Sequence, residues 1–146
     1  MLFGKYVNSI DVKGRCIIPA KFRHELGDSC MLMKGLDRCL YLYTKEEWLK
    51  YVDAYVENKS DENETAHDLK LFFYGNSAEC DIDRQGRINL PQDYVAYADI
   101  QKEMVNVGFG SRIEIWSKET YDSKMSSDEM NPRKLLGRIH TNANQP

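Results

Sequence analysis

The sequence predicts a mostly β protein with short helices, of the α+β class, built from two copies of one unit. Three observations carry that expectation. The run Ile10-Asp11-Val12-Lys13-Gly14-Arg15-Cys16-Ile17-Ile18-Pro19 recurs 72 positions later as Ile82-Asp83-Arg84-Gln85-Gly86-Arg87-Ile88-Asn89-Leu90-Pro91, so both share the skeleton I-D-x-x-G-R-x-x-[IL]-P. After one inserted residue, Gly35, Leu40, Leu42, Tyr43, Thr44, Lys45, Glu46 and Trp48 are matched by Gly108, Ile113, Ile115, Trp116, Ser117, Lys118, Glu119 and Tyr121. Within each copy the apolar runs are strand-sized and bounded by turn residues.

Each element follows from local chemistry. Asp11 and Gly14 stand first and fourth in a type I turn, which closes a tight hairpin with glycine in the left-handed region. The Asp carboxylate accepts backbone N–H groups inside such a turn. Ile10 before it and Ile17-Ile18 after it supply strand residues. Pro19 suits the first position of a short helix with Phe22 and Leu26 on one face and Gly27 as its stop. Pro91, Tyr94 and Ala98 repeat that helix. Two strands joined through a glycine come next: Met31–Met33 and Leu40–Tyr43 in the first copy, Met104–Val107 and Ile113–Trp116 in the second. The alternation of Ile113-Glu114-Ile115 reads as a half-buried strand.

Thr44-Lys45-Glu46-Glu47 reads as a capping box, with Tyr43 stapled to Trp48 across it. Trp48, Val52, Tyr55 and Val56 form the apolar stripe of the helix that follows. Ser117, Trp116 and Tyr121 repeat the cap and staple in the second copy. Thr65 is placed to cap a further helix bearing Leu69, Phe72 and Phe73, with Gly75 as its stop, whose aromatic stripe reads as core or subunit-interface packing. From Ser123 onward the chain is polar with little periodicity beyond Leu135-Leu136 and reads as a mobile tail. The domain division is therefore 1–56 for the first unit with its capping helix, 57–75 for an acidic connector and helix, 76–122 for the second unit and 123–146 for the tail.

Composition narrows the class. With 29% charged residues and no apolar stretch of membrane-spanning length, the chain reads as a soluble protein. Its start shows no basic region followed by an apolar run, so it is expected to stay in the cytoplasm. Cys16, Cys30, Cys39 and Cys80 form no C-x-x-C pair, and His24, His67 and His140 are scattered. Buried, reduced thiols and no metal or other cofactor are expected. The net charge of −3 hides a segregation. Between Lys5 and Arg38 seven basic residues meet four acids, a balance of +3; between Glu57 and Asp68 five acids meet one lysine, a balance of −4. A polyanion responds to the local patch, not the total.

The hairpins are the repeated polar constellation, and they admit two readings. In one, Asp satisfies the turn, Gly supplies the backbone angle and Arg merely pairs with Asp. In the other, Asp11 and Asp83 orient Arg15 and Arg87, which present a rigid fork to phosphate or to guanine O6/N7. Lys13 adds a phosphate contact at the turn tip. Two hairpins per chain make few contacts, so an oligomer would raise affinity by avidity. An aspartic-protease dyad is disfavoured, because an adjacent Arg holds each carboxylate ionised. No phosphate-cradling G-x-x-x-x-G-K-[ST] loop is present, and no small-molecule substrate or enzymatic activity is expected.

The opening Phe3-Gly4-x-Tyr6, the paired D-x-x-G-R hairpins with their trailing prolines, Gly35-Leu36-Asp37-x-Cys39-Leu40 leading to Glu47-Trp48, and Arg112-Ile113-Glu114-Ile115-Trp116 resemble the bacterial MraZ proteins of the SpoVT/AbrB-like superfamily. The likeness covers roughly residues 1–122. It implies a pseudo-two-fold, swapped-hairpin β-barrel that assembles into a ring-shaped homo-oligomer. It further implies a nucleoid-associated transcriptional regulator that binds tandem repeats in double-stranded DNA upstream of its own cell-division and cell-wall operon, generally repressing it. The D-x-x-x-R pairs that contact DNA in that family map onto Asp11 with Arg15 and Asp83 with Arg87, with Gly14 and Gly86 at the turns. Lys13, Arg84 and Arg23 complete the expected DNA-contacting set. Lys13 is matched by Gln85, with Arg84 beside it; Arg23 is matched by Val95; and Asn89 is polar where the family carries an apolar strand residue. The rival expectation is a structural or protein-binding ring in which the hairpins only brace the barrel.

Overall fold

The computed structural model describes residues 1–143. Strands β1 (Lys5–Ser9), β3 (Ser29–Lys34), β4 (Leu40–Tyr43), β5 (Ser77–Asp81), β7 (Glu103–Gly108) and β8 (Ile113–Ser117) form one antiparallel sheet in the order β1-β7-β8-β4-β3-β5. The remaining strands, β2 (Arg15–Ile17) and β6 (Arg87–Asn89), pair only with each other as a two-stranded ribbon. The two copies are interleaved in this order. β1 of the first copy pairs with β7 of the second, and β5 of the second pairs with β3 of the first. The sheet stays open, with β1 and β5 as its edges, so closure into a barrel is not part of the hydrogen-bonding pattern.

Helices cover both faces. Helices α1 (Ala20–Leu26) and α4 (Gln92–Tyr97) lie with the ribbon on one side. Each follows a proline that sits at the N-cap, one place earlier than the sequence suggests; the extended ψ of Pro19 and Pro91, 132° and 149°, ends the strand before the helix turns. Phe22, Leu26, Tyr94 and Ala98 point inward as expected and meet Leu32, Leu40, Leu42, Ile113 and Ile115 of the sheet. Burying each such aliphatic or aromatic side chain contributes about 1.5–3 kcal/mol.

On the other face lie α2 (Lys45–Val52), its π-helical extension Asp53–Glu57, and α3 (Glu64–Gly75). The Thr44 hydroxyl accepts from the Glu47 N–H at 3.1 Å, but the Glu47 side chain is taken by Lys50, so only half of the capping box forms. The wider π turn keeps Val56 on the inner face and swings Tyr55 out to 60% exposure, contrary to its expected place in the stripe. Asn63, not Thr65, caps α3, its side chain accepting from the Ala66 N–H at 3.0 Å. An Asn two residues earlier reaches the orphan N–H groups that Thr65, already inside the helix, cannot.

Because both faces are covered, β4 and β8 are buried along their whole length. Glu114 is therefore 7% exposed, not solvent-facing as the alternation suggested. It is held by Arg112, whose Nη2 donates to its Oε2 at 2.6 Å, and by the Trp116 indole N–H at 3.0 Å. The Arg112 guanidinium lies 3.9 Å from the Tyr41 ring centroid and also donates to the Tyr43 hydroxyl. All four cysteines are buried and free. Burial pushes the thiols of Cys16, Cys30 and Cys39 up to about 12, which keeps them protonated and unreactive.

The tail departs most from expectation. Helix α5 (Lys118–Met125), capped by Ser117, runs into it, and a 3-10 turn at Asp128–Met130 leads to α6 (Pro132–Ala143). Leu135, Leu136 and Ile139 recur at helical spacing, and Asn131 accepts from the Arg133 N–H at 2.9 Å. That cap and stripe are short, which is why a periodicity reading passed over them.

Candidate nucleic-acid interface

The two hairpin turns are near-copies in space. In the first, the Gly14 N–H donates to the Asp11 carbonyl at 3.0 Å, and Gly14 adopts φ +83°. In the second, Gly86 does the same with Asp83 at 2.9 Å and φ +79°. The carboxylates are fully used. Asp11 Oδ1 accepts from the backbone N–H groups of Lys13 and Arg15, both at 2.9 Å, and its Oδ2 accepts from Arg15 Nε at 2.9 Å. Asp83 makes the matching bonds to Gln85 N–H, Arg87 N–H and Arg87 Nε at 2.9, 2.8 and 2.8 Å.

This geometry leaves each guanidinium half-tethered. Nε is committed to the carboxylate, and the two Nη groups of Arg15 and of Arg87 make no hydrogen bond among the described residues. The side chains are 35% and 31% exposed. A fork held at its base and open at its tips suits bidentate recognition of phosphate or a purine edge.

The backbone bonds to the turn, with Arg15 first and Arg87 first among the causes, lower the carboxyl pKa values of Asp11 and Asp83 from the ordinary 3.8. A depressed carboxylate stabilises the fold above its unfolded pKa and loses that contribution as pH falls through the folded value. Carboxyl-carbon NMR titration is expected to place both midpoints below 3.8, with the turn amides of Lys13 and Gln85 shifting in step. Midpoints at or above the ordinary value would contradict the tether.

The ribbon brings the turns together. Arg15 lies opposite Asn89 and Ile17 opposite Arg87, with Cys16 and Ile88 between them turned into the core. Arg15, Ile17, Arg87 and Asn89 therefore share the outer face. The arginines are diagonal neighbours, a relation that sets residues roughly 7–8 Å apart with their Cβ atoms somewhat closer. The ribbon is stitched by exchange: the Ile18 N–H donates to the Gly86 carbonyl at 2.9 Å, and the Leu90 N–H to the Gly14 carbonyl at 2.8 Å. Each half also braces the other's strand end, through Ile10 N–H to Lys102 O and Ile82 N–H to Asp28 O, both at 2.9 Å.

Lys13 and Arg84 stand exposed at the two turn tips. Arg23 is placed differently from a free contact residue. Its Nε donates to the Ile18 carbonyl at 3.0 Å, and its guanidinium lies across Gly86, where a Cβ would collide with it. Gly86 is required for its positive φ, and a side chain there would also push the Arg23 guanidinium aside. Over Gly14 the place is taken by the Leu90 carbonyl oxygen, with the Asn89 side-chain oxygen beside it. Five cations (Lys13, Arg15, Arg23, Arg84 and Arg87) surround a face whose two carboxylates are both consumed internally. Sequence reading missed Ile17 and Asn89 as members of this face. The signal was present in the period of two, since both lie two residues beyond a selected arginine.

Among the described residues no helix is long and apolar enough to cross a membrane, and no group of three His, Cys, Asp or Glu side chains is placed to hold a metal ion.

A family model described as "MraZ protein, putative antitoxin-like" matches residues 1–71 and 73–138. The chain belongs to the MraZ family. The match runs through Arg138, well past the limit near residue 122 drawn from motifs alone, so most of the tail is part of the family pattern. A transcriptional regulator MraZ of Thermoanaerobacter pseudethanolicus is 43% identical over 130 residues, covering 89% of this chain and 90% of the relative. That of Clostridium acetobutylicum is 43% identical over 132 residues, covering 90% and 92%. That of Ligilactobacillus salivarius is 41% identical over 131 residues, covering 90% and 91%.

Proposed function

We propose that this MraZ-family chain is a sequence-specific DNA-binding transcriptional regulator whose contact surface is the outer face of the β2–β6 ribbon. The observation that carries the reading is the duplicated tether. Two arginines are fixed at Nε, open at Nη and set side by side on a two-stranded ribbon, an element that fits the major groove. Lys13 and Arg84 at the tips reach flanking phosphates, and Arg23 adds positive charge while bracing the second turn. The relatives named as transcriptional regulators support the same reading.

In its finer form, copies of the chain assemble into a ring and engage tandem repeats upstream of their own cell-division and cell-wall operon, repressing it. The protein acts in the cytoplasm at the nucleoid, without enzymatic activity of its own. Repetition of the ribbon around an assembly compensates for the few contacts each copy makes. The deciding experiment is a gel shift with duplex DNA from the protein's own upstream region at stepped salt. A shift whose log affinity falls linearly with log salt is expected, and with it preference for the repeat-bearing duplex over a scrambled one. No shift at low salt would favour a ring in which the hairpins serve only as braces.

A further inference from the structure

Helix α6 is amphipathic and lacks a partner of matching size. Leu136 and Ile139 are 69% and 65% exposed, on one stripe with half-buried Leu135. Its principal packing is to the Asp128–Met130 turn, where Arg138 pairs with Glu129 at 3.0 Å. Arg133 and Lys134 stand exposed beside the stripe, and the helix carries no carboxylate. A helix of 12 residues is marginal in water by itself, so its stability calls for burial of that stripe.

The opposite character is found on the outer side of the α2–α3 layer. The segment from Glu57 to Asp68 has five acids and one lysine and is exposed almost throughout. Asp61 is paired with Lys70 at 2.6 Å, whereas the Glu62 and Glu64 side chains face solvent without an ion pair among the described residues. Beside them a groove of about 690 Å³ is lined by Asn63, Ala66, Asp68 and Leu69 among others. The apolar part of that groove is Ala66 with half-buried Leu69, while Leu71, one helical turn beyond Asp68, is 65% exposed outside it.

We propose that α6 of one protomer docks on the acidic α2–α3 face of a second copy of this chain, apolar stripe into groove and Arg133 and Lys134 toward Glu62 and Asp68. Donor and acceptor are different surfaces of the same molecule, so the contact is head-to-tail and propagates from copy to copy. The inference rests on the reading that the protein assembles from identical copies, and its test separates the two.

Assembly mass is measured by light scattering across a dilution series for the full chain and for three variants. These are R133E with K134E, E62K with D68K, and all four changes together; circular dichroism confirms that each is folded. Each pair alone is expected to raise the concentration at which the assembly dissociates at least tenfold, and the fourfold variant to recover most of that loss. The wild-type contact is expected to weaken in high salt. A wild-type chain that is monomeric at all concentrations overturns both the assembly reading and the docking. A wild-type assembly unchanged by any variant overturns the docking alone. Charge reversal on α6 that lowers DNA affinity without changing assembly mass would assign the helix to DNA and overturn the docking likewise.

Discussion

Replacing Arg15 and Arg87 together by alanine is expected to abolish specific DNA binding while leaving fold and assembly mass intact. Each arginine presents two free Nη groups from a base locked to its aspartate, and a bidentate contact of that kind discriminates by about 1–3 kcal/mol. One such loss lowers affinity roughly tenfold; two losses per protomer, repeated around the proposed assembly, multiply. The salt dependence should also flatten by about one unit of slope for each phosphate contact removed. Titrating labelled repeat DNA at fixed salt reads this directly. A smaller, separable loss is expected for D11N with D83N, where the cation remains but the tether on Nε is weakened. Affinity within twofold of wild type in the double-arginine variant would show that the hairpins do not touch DNA.

The second large effect lies away from the ribbon. Glu114→Ala removes the acceptor for Arg112 and for the Trp116 indole in a place where Arg112 is only 16% exposed. Breaking a buried pair by deleting one partner typically costs about 3–5 kcal/mol, because the remaining charge is stranded in low dielectric. The tyrosine rings that stack on Arg112 offer it no counter-charge. Chemical denaturation at fixed protein concentration should show this cost, and Arg112→Leu combined with Glu114→Leu should recover most of it. A single-variant cost under about 1 kcal/mol would mean that water already reaches the pair.

Much of the site was legible in the chain. The repeat named Asp11, Arg15, Asp83 and Arg87, because turn chemistry is local: an Asx turn, a glycine at positive φ and an arginine four residues on act within five positions of each other. The strands were legible for the same reason, since a period of two shows within a few residues. Arg23 was legible only as a cation. That it lies on the turn of the other copy depends on a contact between residues 23 and 86, which no periodicity encodes. Thr65 and Asn63 are both good capping residues, and only the place where the helix starts, at Glu64, decides between them.

By itself, then, the sequence determined that the molecule is duplicated, that each half carries a tethered arginine, and that charge is divided between a basic front and an acidic connector. Tertiary structure alone decided that the halves interleave, that the two arginines meet on one ribbon, and that Glu114 is buried. The physical reason is range. A carboxylate bonding to amides two and four residues away is specified by its neighbours, whereas the pairing of β2 with β6 and the layer over β8 arise from burying apolar faces contributed by residues far apart in the chain.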